Sequence, residues 1–188
     1  TCWKPDILEK HLALADYLAK AGDGKFLVSM PDNCGTLDAM AHLYGTENLL
    51  MDMLADPDTV LSAIRMLNRG WLDSSEKFYQ LLTPHTMQGG SHAWMHLWTP
   101  GRVQHMQADL SVMISQEMYE EFVKPELEEQ IRWIDYPVYH FDGIEQTKHL
   151  DIILGLEKLK AVQWTHVAGQ PSAVHYLPTL QRIQKAGK

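Results

Sequence analysis

The stretch from Gln104 to Gly143 decides the fold, because two strand-like runs flank one helix-like run. It reads QHMQADLSVMIS (104–115), QEMYEEFVKPELEEQIRWID (116–135) and YPVYHFDG (136–143). A strand, an amphipathic helix and a second strand form a βαβ unit, in which the two strands are parallel neighbours. The sequence therefore predicts an α/β fold with a parallel sheet.

Polar and titratable residues gather where each of these strands ends. Successive residues of a strand alternate between faces, so His105, Gln107 and Asp109 share one face of the first strand, and His140 and Asp142 share one face of the second. Ligands bind beyond the carboxyl ends of parallel strands. We therefore expect the chemistry near Asp109, His140 and Asp142.

Other runs extend the predicted sheet. KFLVSM (25–30) and AVQWTHV (161–167) have the character of buried strands. We expect the strands near 25–30, 103–109, 137–141 and 161–166 to be parallel neighbours in sequence order.

Residues 89–110 contain two β-like runs divided by Thr99-Pro100-Gly101. Alternation in the first run places His92, Trp94, His96 and Trp98 on one face. Such a face suits the rim of a pocket, and it equally suits an outer strand with solvated aromatic rings.

Helical spacing of apolar residues predicts helices over 5–21, 57–82, 115–134 and 172–188. Asp56-Pro57 is a strong helix start, with an Asx N-cap followed by Pro at the first helical position. Pro125 lacks an N–H group and should kink or divide the helix that contains it.

Composition limits the class of protein. The 188 residues are 45% hydrophobic and 21% charged, which is typical of one globular domain. A net charge of −8 argues against a nucleic-acid partner or an anionic membrane. Only Cys2 and Cys34 are present, which favours a reduced, cytoplasmic setting over a disulfide framework. We expect a single domain over 1–188 that is incomplete at both ends.

Three segments resemble the uroporphyrinogen decarboxylase superfamily, which includes methyltransferases that pass methyl groups between corrinoid proteins and thiols. They are ADLSVMISQEMYEEFVKPELEEQIRW, then YHFDG with the following His-Leu-Asp, and AVQWTHV; FLVSMPDNCGTLDAM is similar to the strand and loop that cover the family's pocket. The resemblance spans about residues 26–188. It implies a TIM (β/α)8 barrel, here an incomplete one of four to five parallel strands with flanking helices.

The chain departs from the family pattern in ways that bear on function. A barrel of this type has about 250 residues, and the segment with the decarboxylase's carboxylate-binding arginines is not present. Met40 aligns where the decarboxylase has a catalytic Tyr, with Tyr44 one helical turn away. Gln163 stands where the decarboxylase has Asp. His140-Phe141-Asp142 stands where the methyltransferases have His-x-Cys.

Asp109, His140 and Asp142 are the predicted catalytic residues. His140 and Asp142 could hold zinc or another divalent metal, with Asp109 as a third ligand; alternatively, Asp142 orients His140 or caps the following turn. Asp109 has apolar neighbours that should raise its pKa and suit it to proton transfer, unless it only holds the backbone of the next turn. The predicted substrate-binding residues are Trp94, His96, His105, Gln107, Gln163, Trp164 and His166.

The function expected from the resemblance is metal-assisted methyl transfer to a thiol, from a corrinoid on a partner protein or from a small methyl donor. One alternative is decarboxylation of a tetrapyrrole, which would need no metal but would need arginines for the substrate carboxylates. A third reading is a truncated, non-catalytic barrel that associates with another copy and covers its open side.

Overall fold

Three of the five short strands described below form a parallel sheet, and the other two form an antiparallel pair. The computed structural model describes residues 5–188. The strands are β1 (Gly90–His92), β2 (Leu97–Thr99), β3 (Val103–Met106), β4 (Tyr136–Phe141) and β5 (Ala161–Trp164). β3 pairs with β4, and β4 pairs with β5, both in parallel. The predicted βαβ pairing and the sequence order of these three strands are confirmed.

The predicted barrel is wrong. Within residues 5–188 the strands form one three-stranded parallel sheet and one two-stranded antiparallel sheet, β1–β2, in place of an eight-stranded barrel or a part of one with four to five strands. A second copy would serve to cover the open side of that barrel, so this reason for association no longer applies.

The predicted strand at 25–30 is also wrong. Its main chain makes one bond to the sheets, from Met30 N–H to the Ser91 carbonyl at 2.8 Å. Phe26 and Leu27 remain exposed, and Pro31 ends the run without an N–H group to continue a ladder. Residues 25–30 therefore form an extended segment beside the sheets and not a strand.

The run from His92 to Trp98 is a hairpin, so its four aromatic residues do not share one strand face. β1 and β2 are antiparallel, with His92 opposite Leu97. The intervening turn closes with a bond from His96 N–H to the Ala93 carbonyl at 2.9 Å, and His96 adopts a φ of 52°. The turn reverses the chain where alternation predicted a continuous strand.

Helices surround the sheet. The α-helices are α1 (Pro5–Gly22), α2 (Thr36–Tyr44), α3 (Thr46–Ala55), α4 (Pro57–Leu82), α5 (Gln116–Met118), α6 (Lys124–Trp133), α7 (Leu150–Leu154) and α8 (Leu177–Lys185). Short 3-10 helices cover Thr83–His85, Asp109–Met113, Ile144–His149 and Ala173–Tyr176. The helix starts predicted at residues 5 and 57 are confirmed, and the Asp56 side chain caps α4 by accepting from Thr59 N–H.

Pro125 divides the predicted helix 115–134, as expected. A π-helical turn, Tyr119–Val123, lies between α5 and α6, and Pro125 falls in the first turn of α6. Because residues 116–133 are continuously helical, Pro125 leaves the preceding turn without one N–H donor, and the π-helical turn lies where the regular ladder is interrupted.

Two apolar clusters form the core. The larger one joins α2, α3, α4 and α6 to the sheet, and its most buried side chains include Leu37, Leu49, Tyr119, Leu127 and Tyr139. The smaller one joins α1 to the end of α4 through Ala15, Ala19, Met30, Phe78 and Leu82. In the described part of the chain, no helix has the length and apolarity needed to cross a membrane.

Candidate functional site

Asp38, on α2, holds the loop that follows β3. Its Oδ2 accepts a hydrogen bond from Asp109 N–H at 3.0 Å, and its Oδ1 accepts one from Leu110 N–H at 2.8 Å. The amide of Gln107 donates to Asp38 Oδ2 at 3.3 Å and to Asp109 Oδ2 at 3.1 Å. The backbone amides of this turn are thus held by Asp38, which leaves the Asp109 side chain free for another role.

The Asp109 carboxylate is partly buried and only half partnered. Its Oδ1 is inaccessible, has no hydrogen-bond partner among residues 5–188, and lies 3.8 Å from Nε2 of His140. The pKa of Asp109 is raised to about 6, first by burial and next by the charge of Asp38, while His140 opposes both effects. A carboxyl group with this pKa can exchange a proton near neutral pH.

His140 is oriented by two side chains from β5 and the loop after it. Its Nδ1 lies 2.5 Å from Oε1 of Gln163 and 3.1 Å from Oγ1 of Thr165, while the Thr165 hydroxyl also donates to Gln163 Oε1 at 3.2 Å. An amide oxygen can only accept, so Nδ1 carries the proton in the neutral ring. The lone pair of Nε2 is then free, and Nε2 lies 3.8 Å from Oδ1 of Asp109, beyond hydrogen-bond distance.

Trp94, in the β1–β2 turn, places an aromatic ring beside this pair. Its ring centroid lies 5.1 Å from that of His140, 5.0 Å from that of His105 and 5.1 Å from that of His92, in edge-to-face geometry. The indole is 40% exposed, so its remaining surface can contact a ligand. Trp94 therefore connects the sheet edge to a second group of polar side chains.

That second group is a chain of two buried histidines and one carboxylate. Nε2 of His92 lies 2.8 Å from Nδ1 of His105, whose Nε2 lies 3.1 Å from Oδ1 of Asp32. The last two atoms are at ion-pair distance, although Nε2 makes no well-aligned hydrogen bond. The contact with His105 lowers the pKa of Asp32 to about 2, against the effect of burial, and burial lowers the pKa of His92 to about 4.

The structure brings together part of the predicted site. Asp109, His140, Gln107, Gln163, Trp94 and His105 lie on or beside the carboxyl edge of the sheet, in the contacts described above. Asp142 lies close enough to raise the pKa of Asp109 through its charge, and its main-chain N–H donates to the Gln146 side chain.

The other three predicted residues lie elsewhere. Trp164 stacks between Phe141, at 5.3 Å, and Tyr176, at 5.1 Å, and so packs β5 against the segment before α8. His166 is exposed in the loop after β5, and His96 is exposed in the β1–β2 turn.

Asp38, Asp32 and Thr165 are members of the site that the sequence did not single out. Asp38 lies in a helix pattern, Asp32 in a turn cluster and Thr165 past the end of a strand. Each gains its partner from a distant part of the chain, and spacing along the sequence carries no signal for such contacts.

The donor set does not complete a metal site. Asp109 Oδ1 and His140 Nε2 are the two atoms best placed to share an ion, but no group of three or more His, Cys, Asp or Glu side chains within residues 5–188 is arranged to hold one. Catalytic zinc has three protein ligands. Cys34 is half-buried and burial raises the pKa of its thiol to about 11, which disfavours the thiolate that a metal binds; Cys2 lies outside the described residues.

Comparison of the chain with protein-family models, with curated proteins and with solved structures found no match.

Proposed function

We propose that the protein catalyses methyl transfer to a thiol, with His140 as the proton acceptor and Asp109 as the group that stabilises the resulting imidazolium. The observation that carries this proposal is the distance of 3.8 Å between Nε2 of His140, whose lone pair is free, and Oδ1 of Asp109, which accepts no hydrogen bond from the described residues. The resemblance of ADLSVMIS, YHFDG and AVQWTHV to the uroporphyrinogen decarboxylase superfamily supports the reaction class.

The chemistry requires a base at this position. The thiol proton passes to Nε2 of His140, the sulfur forms a bond to the methyl carbon, and the bond between carbon and donor breaks with its electron pair remaining on the donor. Gln163 and Thr165 hold the ring so that Nε2 is the free nitrogen, and ionised Asp109 stabilises the charge that forms. The donor would be a corrinoid on a partner protein or a small methylated molecule, in the cytoplasm.

A divalent metal shared by Asp109 and His140 would activate the same thiol, by making it a thiolate. Because the described residues offer only two atoms placed to bind a metal, Oδ1 of Asp109 and Nε2 of His140, no step above depends on a metal.

The tetrapyrrole alternative needs cations for the substrate carboxylates. Of the five arginines, Arg102 is paired with Glu76 and Asp135, and Arg182 is paired with Asp151. The described side chains in hydrogen-bond or ring contact with Asp109 and His140 include no Lys or Arg; they are Gln107, Gln163, Thr165 and Trp94. A polycarboxylate substrate therefore has no counter-charge at this pair.

The test is anaerobic incubation of the protein with methylcobalamin and 2-mercaptoethanol, with mass-spectrometric detection of the S-methyl product. We expect turnover that is lost in His140→Ala and in Asp109→Asn, while circular dichroism stays unchanged. Metal analysis and a chelator-treated sample separate the base-assisted reaction, which survives, from the metal-assisted one, which stops. Full activity of His140→Ala would refute the role of His140. Decarboxylation of uroporphyrinogen without added metal would show that the protein is a decarboxylase and not a methyltransferase.

A further inference from the structure

A cavity of about 820 Å³ lies between α1, the extended segment 28–33 and α4. Its walls are mostly apolar, and the side chains that form them include Leu8, Leu14, Leu18, Val28, Trp71 and Phe78. A volume of this order accommodates a drug-sized molecule. Asp109 and His140 do not line it, so it is distinct from the pair described above.

The polar end of the cavity carries an ionised carboxylate. Oδ1 of Asp32 accepts from Cys34 N–H at 2.9 Å and contacts His105, whereas Oδ2 has no hydrogen-bond partner among residues 5–188. The side chain is 54% exposed although it lines the cavity, so Oδ2 is accessible to a ligand. The lowered pKa of Asp32, about 2, keeps it charged at neutral pH.

His105 contacts Oδ1 of Asp32, but no Lys or Arg among the described lining residues is available to Oδ2. The described lining residues include no Lys or Arg, and their titratable members are Asp32 and His11. The charges of Asp38 and Asp109 add to the negative potential there, because each of them, like the charge of Asp32, raises the pKa of the Cys34 thiol. A ligand with a positive charge complements this end of the cavity.

Trp94 supplies the second recognition element for a cation. Its ring lines the same cavity and remains 40% exposed. The face of an indole attracts ammonium groups, with a free energy of about 0.5–2 kcal/mol that increases as the cation is desolvated. Asp32 and Trp94 lie at the same end of the cavity, because both contact the His105 side chain. A carboxylate and an indole placed together select an organic cation over a neutral molecule of the same shape.

We propose that this cavity binds an organic cation, with its ammonium group against Asp32 Oδ2 and Trp94 and its apolar body between α1 and α4. The inference does not rest on methyl transfer, because it concerns binding at residues that the proposed reaction does not use. It is tested by binding alone.

The probes are benzyltrimethylammonium and its neutral isostere neopentylbenzene, in which carbon replaces the charged nitrogen. Saturation-transfer NMR with the whole protein measures the affinity of each. We expect saturable binding of the cation, about tenfold tighter than that of the isostere. This comparison uses only the unmodified protein, so it does not depend on how a variant folds.

A matched pair of variants locates the cation. Asp32→Asn should weaken benzyltrimethylammonium about tenfold and leave neopentylbenzene unchanged. Asp73→Asn removes the same charge from an exposed position of α4 that does not line the cavity, and it should change neither affinity. Equal affinity for the two probes, no saturable binding of the cation, or an equal loss in the two variants would overturn the proposal.

Discussion

Oδ2 of Asp38 lies 3.0 Å from the main-chain nitrogen of Asp109, so one carboxylate fixes the loop that carries another. Asp38 satisfies the backbone donors of the loop, and its charge acts on Asp109 at close range. That charge ranks second only to burial among the causes that raise the pKa of Asp109. The same contact therefore positions the proposed catalytic carboxylate and sets the pH at which it ionises.

The rate of methyl transfer should rise with pH through an apparent pKa near 6. Asp109, whose pKa is about 6, must be ionised to stabilise the His140 imidazolium, so the active form is lost as pH falls through that value. Asp109→Asn should lower the rate by a factor on the order of 10²–10⁴ and remove this limb of the profile. Steady-state rates across the pH range measure both effects, and a variant that keeps the limb would assign it to another group.

Asp38→Asn should move this limb to lower pH. Asn keeps an oxygen that can accept from Leu110 N–H but removes the charge that raises the pKa of Asp109. Asp58→Asn, at an exposed position in the first turn of α4, is the charge-matched control and should leave the limb in place. The shift is read from pH–rate profiles of the two variants, and a limb that stays fixed in both would show that Asp38 acts only through the loop.

Gln163→Leu should lower the rate about 10–100-fold without unfolding the protein. The change removes the amide oxygen that holds Nδ1–H of His140, so the ring can turn Nε2 away from Asp109. The main effect should fall on kcat, because the residue positions a base and does not contact the thiol. Gln181→Leu, on the exposed face of α8, provides the comparison, and equal rates for the two variants would exclude a positioning role.

Glu126→Gln should remove a pH dependence of stability. The Glu126 carboxyl is buried on α6, and burial raises its pKa well above the usual value, against the effect of Thr36 and the Leu37 main chain. Above the unfolded-state pKa of about 4.3, the unfolded chain releases this proton while the folded protein keeps it. The free energy of unfolding should therefore fall by up to about 1.4 kcal/mol per pH unit, until the folded group also ionises.

Urea unfolding over a pH series from about 5 to about 8 measures this slope. The Gln variant should lose it, whereas Glu128→Gln, at an exposed position of the same helix, should keep it. A slope that is the same in all three proteins would mean that Glu126 is not held protonated.

Gly35→Ala should destabilise the protein at the contact between the start of α2 and the loop after β3. A Cβ at this position would collide with the Gln107 carbonyl oxygen and would lie 2.6 Å from Oδ2 of Asp38. The cost of such overpacking is about 1–3 kcal/mol. Gly155→Ala is the comparison, because a Cβ there would meet main-chain oxygens at 3.3 Å, a tight contact that should cost less than the collision at Gly35. Thermal unfolding compares the two, and an unchanged Tm for Gly35→Ala would show that the loop after β3 can move aside.

The sequence predicts those parts of the fold that depend on local chemistry. Asp56-Pro57 starts α4 because a cap and a fixed φ act within one turn. The pattern from Gln104 to Gly143 predicts β3, β4 and their parallel pairing, because one helix between two strands permits few connections. Pro125 divides its helix for a reason contained in the residue itself.

The parts that sequence reasoning missed depend on distant partners. KFLVSM has the composition of a buried strand, but a strand needs a neighbour with free backbone groups, and this segment finds one such bond. The run from His92 to Trp98 alternates like a strand, yet the turn at 93–96 reverses it. Nothing in the sequence around Asp38 indicates its role, because the two main-chain N–H groups that it accepts from, those of Asp109 and Leu110, are 71 and 72 residues away.

The bond between Asp38 and Leu110 also orders the events of folding. It joins residues 72 positions apart, whereas the strand pairs β3–β4 and β4–β5 join residues that are much closer in sequence. Closing a longer loop costs more chain entropy, so contacts between near segments form before contacts between remote ones. We therefore expect a refolding chain to form its parallel strands first, and Asp109 to reach the position described above only when α2 docks against them.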